Sequence, residues 1–413
     1  MDVDQINLSD FDFWLQPDVV RDETFAALRR ERPVAFFEEP EPDIEGLEQG
    51  PGYWSLFKHD DVVFASRHPE LFISGQGSNI FDMPPELMEM LGSMINMDSP
   101  RHTKLRLLVN KGFTPKMVAR IEDYVHEIAQ ECVRDIAGKG SCDFVTEVAA
   151  PLPLRIICDM MGIPREDNEF IFQQTNHLLG GLDPEYNDSI EEMLAGGWNM
   201  WNYAQELGTK RLADPQDDIT TALLHAEVDG QRLTASEFGS FFVLLCTAGN
   251  ETTRNAIAHG LLQLTRHPDQ RELLLSDPAT HMPTAVEEIV RYSTPVIHFR
   301  RTTTDRVELP SGRHTFEAGE KVVLWYNSAN RDDDAFVDPD RFDITRTPNE
   351  HVGFGGGGPH FCLGANLARR EIRVLFEELF RVLPDIEAVG KPAMLQSNFI
   401  HGIKHLDASF TPC

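Results

Sequence analysis

The spacing of apolar residues separates a long helical middle of the chain from two less regular ends. From about Ser99 to Leu275, apolar residues recur every three or four positions with few Pro or Gly residues between them, which predicts a series of amphipathic helices. Within this series, Thr234-Ala-Ser-Glu237 has the pattern of a capping box. It predicts the start of a long apolar helix that reaches about His267.

The segments after the helical middle have strand and loop patterns. Residues 296–330 are strand-like with Gly and Pro between the runs, and residues 331–364 are irregular and rich in Asp, Pro and Gly. A last long helix is predicted from about Leu363 to Leu383, ahead of a strand-like tail. Since the chain has no repeat and no low-complexity linker, we expect a single domain over residues 1–413, mainly α-helical with a smaller β-rich part.

The segments before the helical middle are mixed. Tyr53-Trp-Ser-Leu-Phe57 predicts a strand, and the acidic stretch 38–45 is expected to be an exposed loop. Residues 74–100 are expected to form a loop region with one short helix and many methionines.

Composition narrows the range of partners. The formal net charge is -30, and such a surface repels nucleic acid and anionic membranes. The chain has no apolar run of about 18 residues, and its acidic N-terminus lacks the pattern of a secretion signal, so we expect a cytoplasmic protein without a membrane span. The six cysteines include no C-x-x-C pair, which favours reduced thiols over disulfides or a zinc site.

The most distinctive chemistry lies in the segment Phe354-Gly-Gly-Gly-Gly-Pro-His-Phe-Cys362-Leu-Gly364. Glycines allow a chain to approach a flat cofactor closely and to adopt unusual φ angles. Backbone N–H groups directed at a sulfur tune its electron donation, and the positive end of a following helix helps to hold a thiolate. These are the requirements of an iron-bound thiolate.

Two other functions fit parts of the same segment. Gly353-x-Gly355-x-x-Gly358 matches a dinucleotide-binding fingerprint, although that pattern is weak alone and Pro-His-Phe-Cys stands where a helix should begin. Cys362 is also a candidate nucleophile, as in cysteine hydrolases, but nothing in the sequence selects a partner His and acid.

The whole segment resembles the haem-binding loop of the cytochrome P450 superfamily. Phe354, the glycines, His360 and Gly364 match, but Phe354 lies one residue further from Cys362 than in most bacterial members. An extended loop of this kind resembles an actinobacterial subgroup that oxidises sterol side chains and methyl-branched lipids. The resemblance implies a cytochrome P450 fold, with haem b between the long central helix and the cysteine loop and with Cys362 as the iron ligand.

Three further motifs occur in the order that the resemblance requires. Glu288-Ile-Val-Arg291 places Glu and Arg on one helix face; such a pair is often merely solvated, but in the family it is buried and structural. The resemblance implies that Arg341, in Pro339-Asp-Arg-Phe342, joins this pair. Haem propionates are expected to be neutralised by a set of cationic groups. These are His102, Arg106, His360 and Arg301, with Arg300 as the alternative to Arg301.

The long helix carries the third motif, Ala248-Gly-Asn-Glu-Thr252. Small residues at Ala248 and Gly249 are expected to leave room for dioxygen beside the iron. Glu251 and Thr252 match the acid–alcohol pair of the family, which delivers protons during cleavage of the O–O bond.

By resemblance the substrate pocket is lined by four largely apolar segments. The residues expected to contact substrate are Ile95, Met97, Val243, Thr247, Ala248, Val296, Ile297 and Phe399. Five of the 13 methionines fall between Met83 and Met97, and methionine makes an adaptable apolar wall. We therefore expect an apolar substrate of considerable size.

These observations predict a monooxygenase that inserts one oxygen atom from O2 into a C–H bond. By subgroup resemblance the reaction is terminal hydroxylation of a methyl-branched lipid, terpenoid or sterol side chain. Electrons are expected from a ferredoxin and a ferredoxin reductase, and the protein is expected to be a monomer. The alternatives are a peroxide-driven peroxygenase, which would not need the Glu251–Thr252 pair, and a non-catalytic haem carrier or sensor.

A basic segment on this acidic protein predicts where the donor docks. Residues 101–120 contain no Asp or Glu, and their Lys and Arg residues form what we term the basic island: Arg101, Lys104, Arg106, Lys111, Lys116 and Arg120. A solvated face without a partner would have the same pattern.

Overall fold

The computed structural model describes residues 2–40, 49–82, 88, 93–112, 115–181, 183–227 and 230–413. The described α-helices are α1 (Asp18–Glu31), α2 (His59–Arg67), α3 (Arg101–Gly112), α4 (Pro115–Ala137), α5 (Pro151–Met161), α6 (Asn168–Gly180), α7 (Ile190–Ala213), α8 (Ile219–His225), α9 (Ala235–Arg266), α10 (Pro268–Ser276), α11 (Pro278–Ser293), α12 (Tyr326–Ala329) and α13 (Ala365–Val382). Short 3-10 and π turns lie between them. The predicted helical middle is therefore confirmed.

The strands are short and gather into small sheets. They are β1 (Val34–Phe37), β2 (Tyr53–Leu56), β3 (Phe72–Ile73), β4 (Ser141–Asp143), β5 (His298–Thr303), β6 (Val307–Glu308), β7 (Thr315–Phe316), β8 (Lys321–Trp325), β9 (Glu387–Ala388), β10 (Ala393–Met394), β11 (Ile403–His405) and β12 (Asp407–Ser409). The largest sheet has the order β1-β2-β8-β5-β3, in which only β2 and β8 are parallel, with Trp54 opposite Val322. The strand predicted at Tyr53 is therefore in one sheet with β5 and β8 of the strand-like region 296–330, whereas β6 and β7 of that region form a separate two-stranded sheet.

The long helix α9 begins and ends where the sequence predicts. The Thr234 hydroxyl accepts a hydrogen bond from the Glu237 amide at 3.1 Å, and the Glu237 carboxylate accepts one from the Thr234 amide at 3.0 Å, which satisfies two N–H groups at the start of the helix. Its 32 residues span about 48 Å. Most of its side chains are buried, because α5, α7 and α11 pack around it and enclose the main apolar core.

The structure tests parts of the acidic stretch 38–45 and of the loop region 74–100. Glu39, in the stretch expected to be exposed, is buried and forms an ion pair with Lys321, so the prediction is wrong for this residue. Residues 41–45 of that stretch and most of 83–92, including Met83 and Met90, lie outside the described residues. The 3-10 helix Ser93–Asn96 is the described short helix of the loop region. Among the described helices, none is long and apolar enough to cross a membrane.

Candidate active site

The glycine-rich segment folds tightly against the end of helix α2. Gly355, Gly357 and Gly358 have φ angles of 98°, 92° and 75°, in the left-handed region that other residues avoid. A Cβ on Gly358 would lie 2.2 Å from the carbonyl oxygen of Ser66, and one on Gly356 would lie 2.6 Å from the Ser66 hydroxyl. Glycine is therefore required here both by the backbone angles and by contact with α2.

Cys362 lies at the end of this loop with one side open to solvent. Its amide donates to the Phe354 carbonyl at 3.0 Å, which closes the loop on itself. Protein surrounds the thiol closely enough for burial to raise its pKa, while the Gly364 amide and the charges of Arg106 and Arg369 act in the opposite direction. The residue thus combines an accessible sulfur with an N–H donor and nearby cations, as a metal-bound thiolate requires.

The dinucleotide alternative lacks the structural context that it needs. A fingerprint of that type lies between a strand and the first turn of a helix. Here the nearest preceding strand, β8, ends at Trp325, and α13 starts only at Ala365, seven residues after Gly358. Helix α13 has Gly364 as its N-cap and matches the last predicted helix within two residues.

The structure brings the predicted cationic groups together beside the cysteine loop. The imidazole rings of His102 and His360 lie 4.4 Å apart, and Arg106 donates to the carbonyls of Pro359 at 2.8 Å and Phe361 at 2.7 Å. Burial and then the charge of Arg301 lower the pKa of His360 to about 3, followed by smaller effects of His102 and Arg106. All four groups therefore face one small region.

That region is suited to an anionic group. His102 Nε2 is buried and has no hydrogen-bond partner within the described residues, and His360 Nε2 lies 3.1 Å from the Ser74 hydroxyl. Arg301 is 5% exposed, and its guanidinium makes one described hydrogen bond, to the Arg300 carbonyl at 2.7 Å. A buried guanidinium and a buried imidazole nitrogen without a partner are costly unless a further group joins them, so these residues fit the carboxylates of a haem.

The choice of Arg301 over Arg300 is supported by the contacts of Arg300. Arg300 donates to Asp82 at 2.7 Å and to the carbonyls of Gln76 at 2.8 Å and Asn79 at 3.3 Å. Its guanidinium is therefore committed to the loop over residues 76–82. Since adjacent residues of a strand point to opposite faces, Arg301 is directed away from that loop.

The middle of helix α9 is open on one side. Ala248 is exposed and Thr252 is half-buried, although the neighbouring residues Thr247, Glu251 and Thr253 are buried. The Thr252 hydroxyl donates to the Ala248 carbonyl at 3.0 Å. Residues four apart share a helix face, so Ala248 and Thr252 form one open surface.

The structure adds two details to this motif. A Cβ on Gly249 would lie 3.2 Å from Ile157 of α5, so the missing side chain allows α9 to pack closely on α5, and its role in leaving room for dioxygen stays a prediction. Glu251 is buried and forms an ion pair with Arg254, and its Oε1 accepts from Asn255 at 3.1 Å. Its Oε2 is buried without a hydrogen-bond partner in the described part of the chain.

The structural Glu–Arg cluster forms, but with a different third member. Glu288 and Arg291 are fully buried and joined by two hydrogen bonds of 2.8 Å. The second guanidinium on Glu288 belongs to Arg346, at 3.2 Å, and the prediction of Arg341 is wrong. Arg341 has an exposed side chain and contributes its backbone carbonyl, which accepts from Arg291 at 3.2 Å and from Arg346 at 2.9 Å.

The residues predicted to contact substrate divide into two groups. The side chains with accessible surface are those of Ile95, Met97, Ala248, Val296 and Phe399. Val296 pairs with Ile400 across an isolated β-bridge, and the Ile297 amide donates to the Phe399 carbonyl at 2.8 Å, so two of the predicted segments meet.

The other predicted substrate residues are buried. Val243, Thr247 and Ile297 are 1%, 6% and 2% exposed. Val243 belongs to the main apolar core, and Ile297 packs in the cluster around Trp325. These three therefore act in packing in this structure and present little surface to a ligand.

Sequence reasoning missed several residues that support the loop. Ser74 contacts His360, Arg346 completes the Glu288 cluster, and Arg369 forms an ion pair with Glu287. Arg369 is in the predicted helix after Cys362, but only the three-dimensional contacts separate it from its neighbours.

Comparison with known proteins agrees with a site for haem bound through a cysteine. The cytochrome P450 family profile matches residues 86–384. A methyl-branched lipid omega-hydroxylase of Mycobacterium tuberculosis is 51% identical over 409 residues, covering 98% of this chain and 95% of the relative. A steroid C26-monooxygenase of Mycolicibacterium smegmatis is 39% identical, with coverage of 98% and 94%.

A solved structure extends this agreement to the fold. The Mycobacterium marinum cytochrome P450 in complex with pseudoionone superposes with a TM-score of 0.92 at 44% identity, covering 98% of each chain. The predicted fold and enzyme class, that of a haem-dependent monooxygenase, are therefore confirmed. On the family profile, the full-length relatives and the shared fold, the chain belongs to the cytochrome P450 family.

Proposed function

We propose that this protein is a haem-thiolate monooxygenase in which Cys362 binds the iron of haem b. The observation that carries the proposal is the convergence of His102, Arg106, Arg301 and His360 beside the cysteine loop. One group with two carboxylates and a metal would use both the cations and the sulfur. A nucleophilic cysteine would use one neighbouring base or cation and would leave the rest of the set without a role.

When bound, haem supplies the oxidising chemistry with dioxygen and electrons. The chain contributes position and protons. Cys362 is held by the loop bond to the Phe354 carbonyl, and Ala248 leaves an open helix face opposite the buried residues of α9. The Thr252 hydroxyl lies on that face and can accept or donate a proton, while Glu251 Oε2, which has no hydrogen-bond partner among the described residues, can accept a proton and pass it on.

The substrate that we propose is a methyl-branched lipid, oxidised at its terminal carbon. The relative that is 51% identical bears the name of that reaction, and those at 39% identity are named for oxidation of a steroid at C26, a side-chain position. The accessible side chains of Ile95, Met97, Val296 and Phe399 are apolar, which suits a long hydrocarbon. Terpenoids and sterol side chains are the second class.

Electrons are proposed to come from a ferredoxin and its reductase, acting on a monomer. The described part of the basic island lies against the cysteine loop, because Arg106 donates to the loop carbonyls. Leu107 and Phe361 are 49% and 38% exposed, so apolar surface is available on α3 and on the cysteine loop. Arg101 is partly neutralised by Glu237 at 3.3 Å, and the side chains of Lys111, Lys116 and Arg120 lie outside the described residues.

Turnover of a small lipid panel tests this function. The purified protein, with a ferredoxin, its reductase and NAD(P)H, should convert methyl-branched lipids to terminal alcohols with oxygen consumption coupled to product. Products formed only with added peroxide would support the peroxygenase alternative. An absence of oxygen-dependent NAD(P)H use, despite a thiolate-type spectrum, would support a non-catalytic haem protein and contradict the proposal.

A further inference from the structure

A row of contacts links helix α11 to the cysteine loop through Arg369 of α13. Arg369 Nε donates to Glu287 Oε1 at 2.6 Å, and its Nη2 donates to Oε2 at 2.9 Å, which is the two-bond geometry of a strong guanidinium–carboxylate pair. His351 Nε2 lies 3.0 Å from the same carboxylate, and its side chain is only 3% exposed. The direction of the Arg369 guanidinium is therefore fixed.

The guanidinium of Arg369 also lies over an aromatic ring of the cysteine loop. Arg369 Cζ lies 4.3 Å from the centre of the Phe354 ring, a cation–π contact, and the His351 ring lies 5.8 Å from the same ring. The carbonyl of Phe354 accepts the hydrogen bond of the Cys362 amide. Arg369 thus holds the residue whose backbone closes the loop on the cysteine.

The arrangement is not a general property of the basic side chains of α13. Arg373, one turn later, pairs with Glu377 of its own helix at 2.7 Å, and its side chain is 49% exposed. Glu287 also differs from its neighbour Glu288, which binds Arg291 and Arg346 in the buried cluster. Consecutive helix residues point about 100° apart, so α11 supports the loop region in two directions.

We propose that Arg369, held by Glu287 and His351, is a positioning residue that fixes Phe354 and raises the reduction potential of the bound haem. One-electron reduction adds negative charge to the site, and a fixed cation stabilises the reduced form more than the oxidised form. The inference rests on the proposed ligation of iron by Cys362.

Midpoint potentials of the haem-loaded protein test the charge. Arg369→Gln should shift the potential to a more negative value than that of the parent. Arg369→Lys keeps the charge and should restore most of this shift. Arg373→Gln is the matched control, since it removes the same charge one turn away in a solvated position; its potential should equal that of the parent. Equal potentials for Arg369→Gln and the parent would overturn the proposal.

The spectrum of the reduced carbon monoxide complex tests the positioning. A lysine cannot form the two-bond fork with Glu287, so Arg369→Lys should lose the thiolate-type Soret band on warming faster than the parent and Arg373→Gln. If Arg369→Gln does not bind haem, the comparison of Arg369→Lys with the parent is the test. Equal rates of band loss in these two proteins would overturn the proposal. A parent protein without the thiolate band would instead contradict the proposed function.

Discussion

At the scale of single residues, Thr252 is the side chain that we propose for proton delivery. The helix around it is buried, yet its hydroxyl lies on the open face and makes its described hydrogen bond to the Ala248 carbonyl. A hydroxyl bonded to its own helix in this way contributes little to packing, since many exposed helical threonines do the same. Its position therefore accords with the proposed proton relay.

We predict that Thr252→Ala uncouples oxygen use from product formation. Losing part of a proton relay costs roughly 10²–10⁴-fold in rate of the step that it serves. NAD(P)H should still be consumed, with peroxide released in place of hydroxylated lipid. The matched control is Thr209→Ala, which removes the same kind of hydroxyl-to-carbonyl bond, at 2.8 Å to Gln205, from an exposed site on α7. Unchanged product per NAD(P)H in Thr252→Ala would argue against the relay.

At the scale of elements, the sequence predicts helix boundaries that depend on residues close to each other along the chain. The capping box marks the start of α9, and periodicity marks α13, because both depend on residues within a few positions of each other. The partner of Glu288 depends on how the irregular segment after Pro339 folds back, which no local rule fixes. This folding back brings Arg346 to Glu288. The prediction of Arg341 followed the family pattern and was wrong for that reason.

We predict different stabilities for variants of these two arginines. Arg346→Ala leaves the buried Glu288 carboxylate with fewer donors and should lower the free energy of unfolding by about 2 kcal/mol, the cost of an unsatisfied buried group. Arg341→Ala removes an exposed side chain and should change it by less than about 0.5 kcal/mol. Urea unfolding of the haem-loaded proteins measures both. Equal losses of unfolding free energy in the two variants would show that the Arg341 side chain belongs to the Glu288 cluster.

At the scale of the whole molecule, charge is distributed unevenly. The chain carries 67 acidic residues against 37 Lys and Arg, but the basic island has no acidic residue and begins helix α3, which contacts the cysteine loop through Arg106. Screening acts over about 8 Å at physiological ionic strength, so a partner near the island is affected mainly by the island itself. An acidic iron–sulfur donor is the partner of matching charge.

We predict that charge reversal at Lys104, Lys111 and Lys116 weakens electron transfer specifically. The apparent KM for an acidic ferredoxin should rise and its salt dependence should flatten, because the island no longer attracts the donor. Substrate binding and the carbon monoxide spectrum should remain those of the parent. A triple variant that accepts electrons as well as the parent at low salt would show that the donor docks elsewhere.

The identity of the iron ligand is the central claim, and the spectrum of the reduced carbon monoxide complex tests it most directly. The parent should show the red-shifted Soret band of thiolate ligation. Cys362→Ala should lose that band, whereas Cys413→Ala, which removes the other exposed thiol, should retain it. Retention of the thiolate band by Cys362→Ala would contradict the assignment of the ligand.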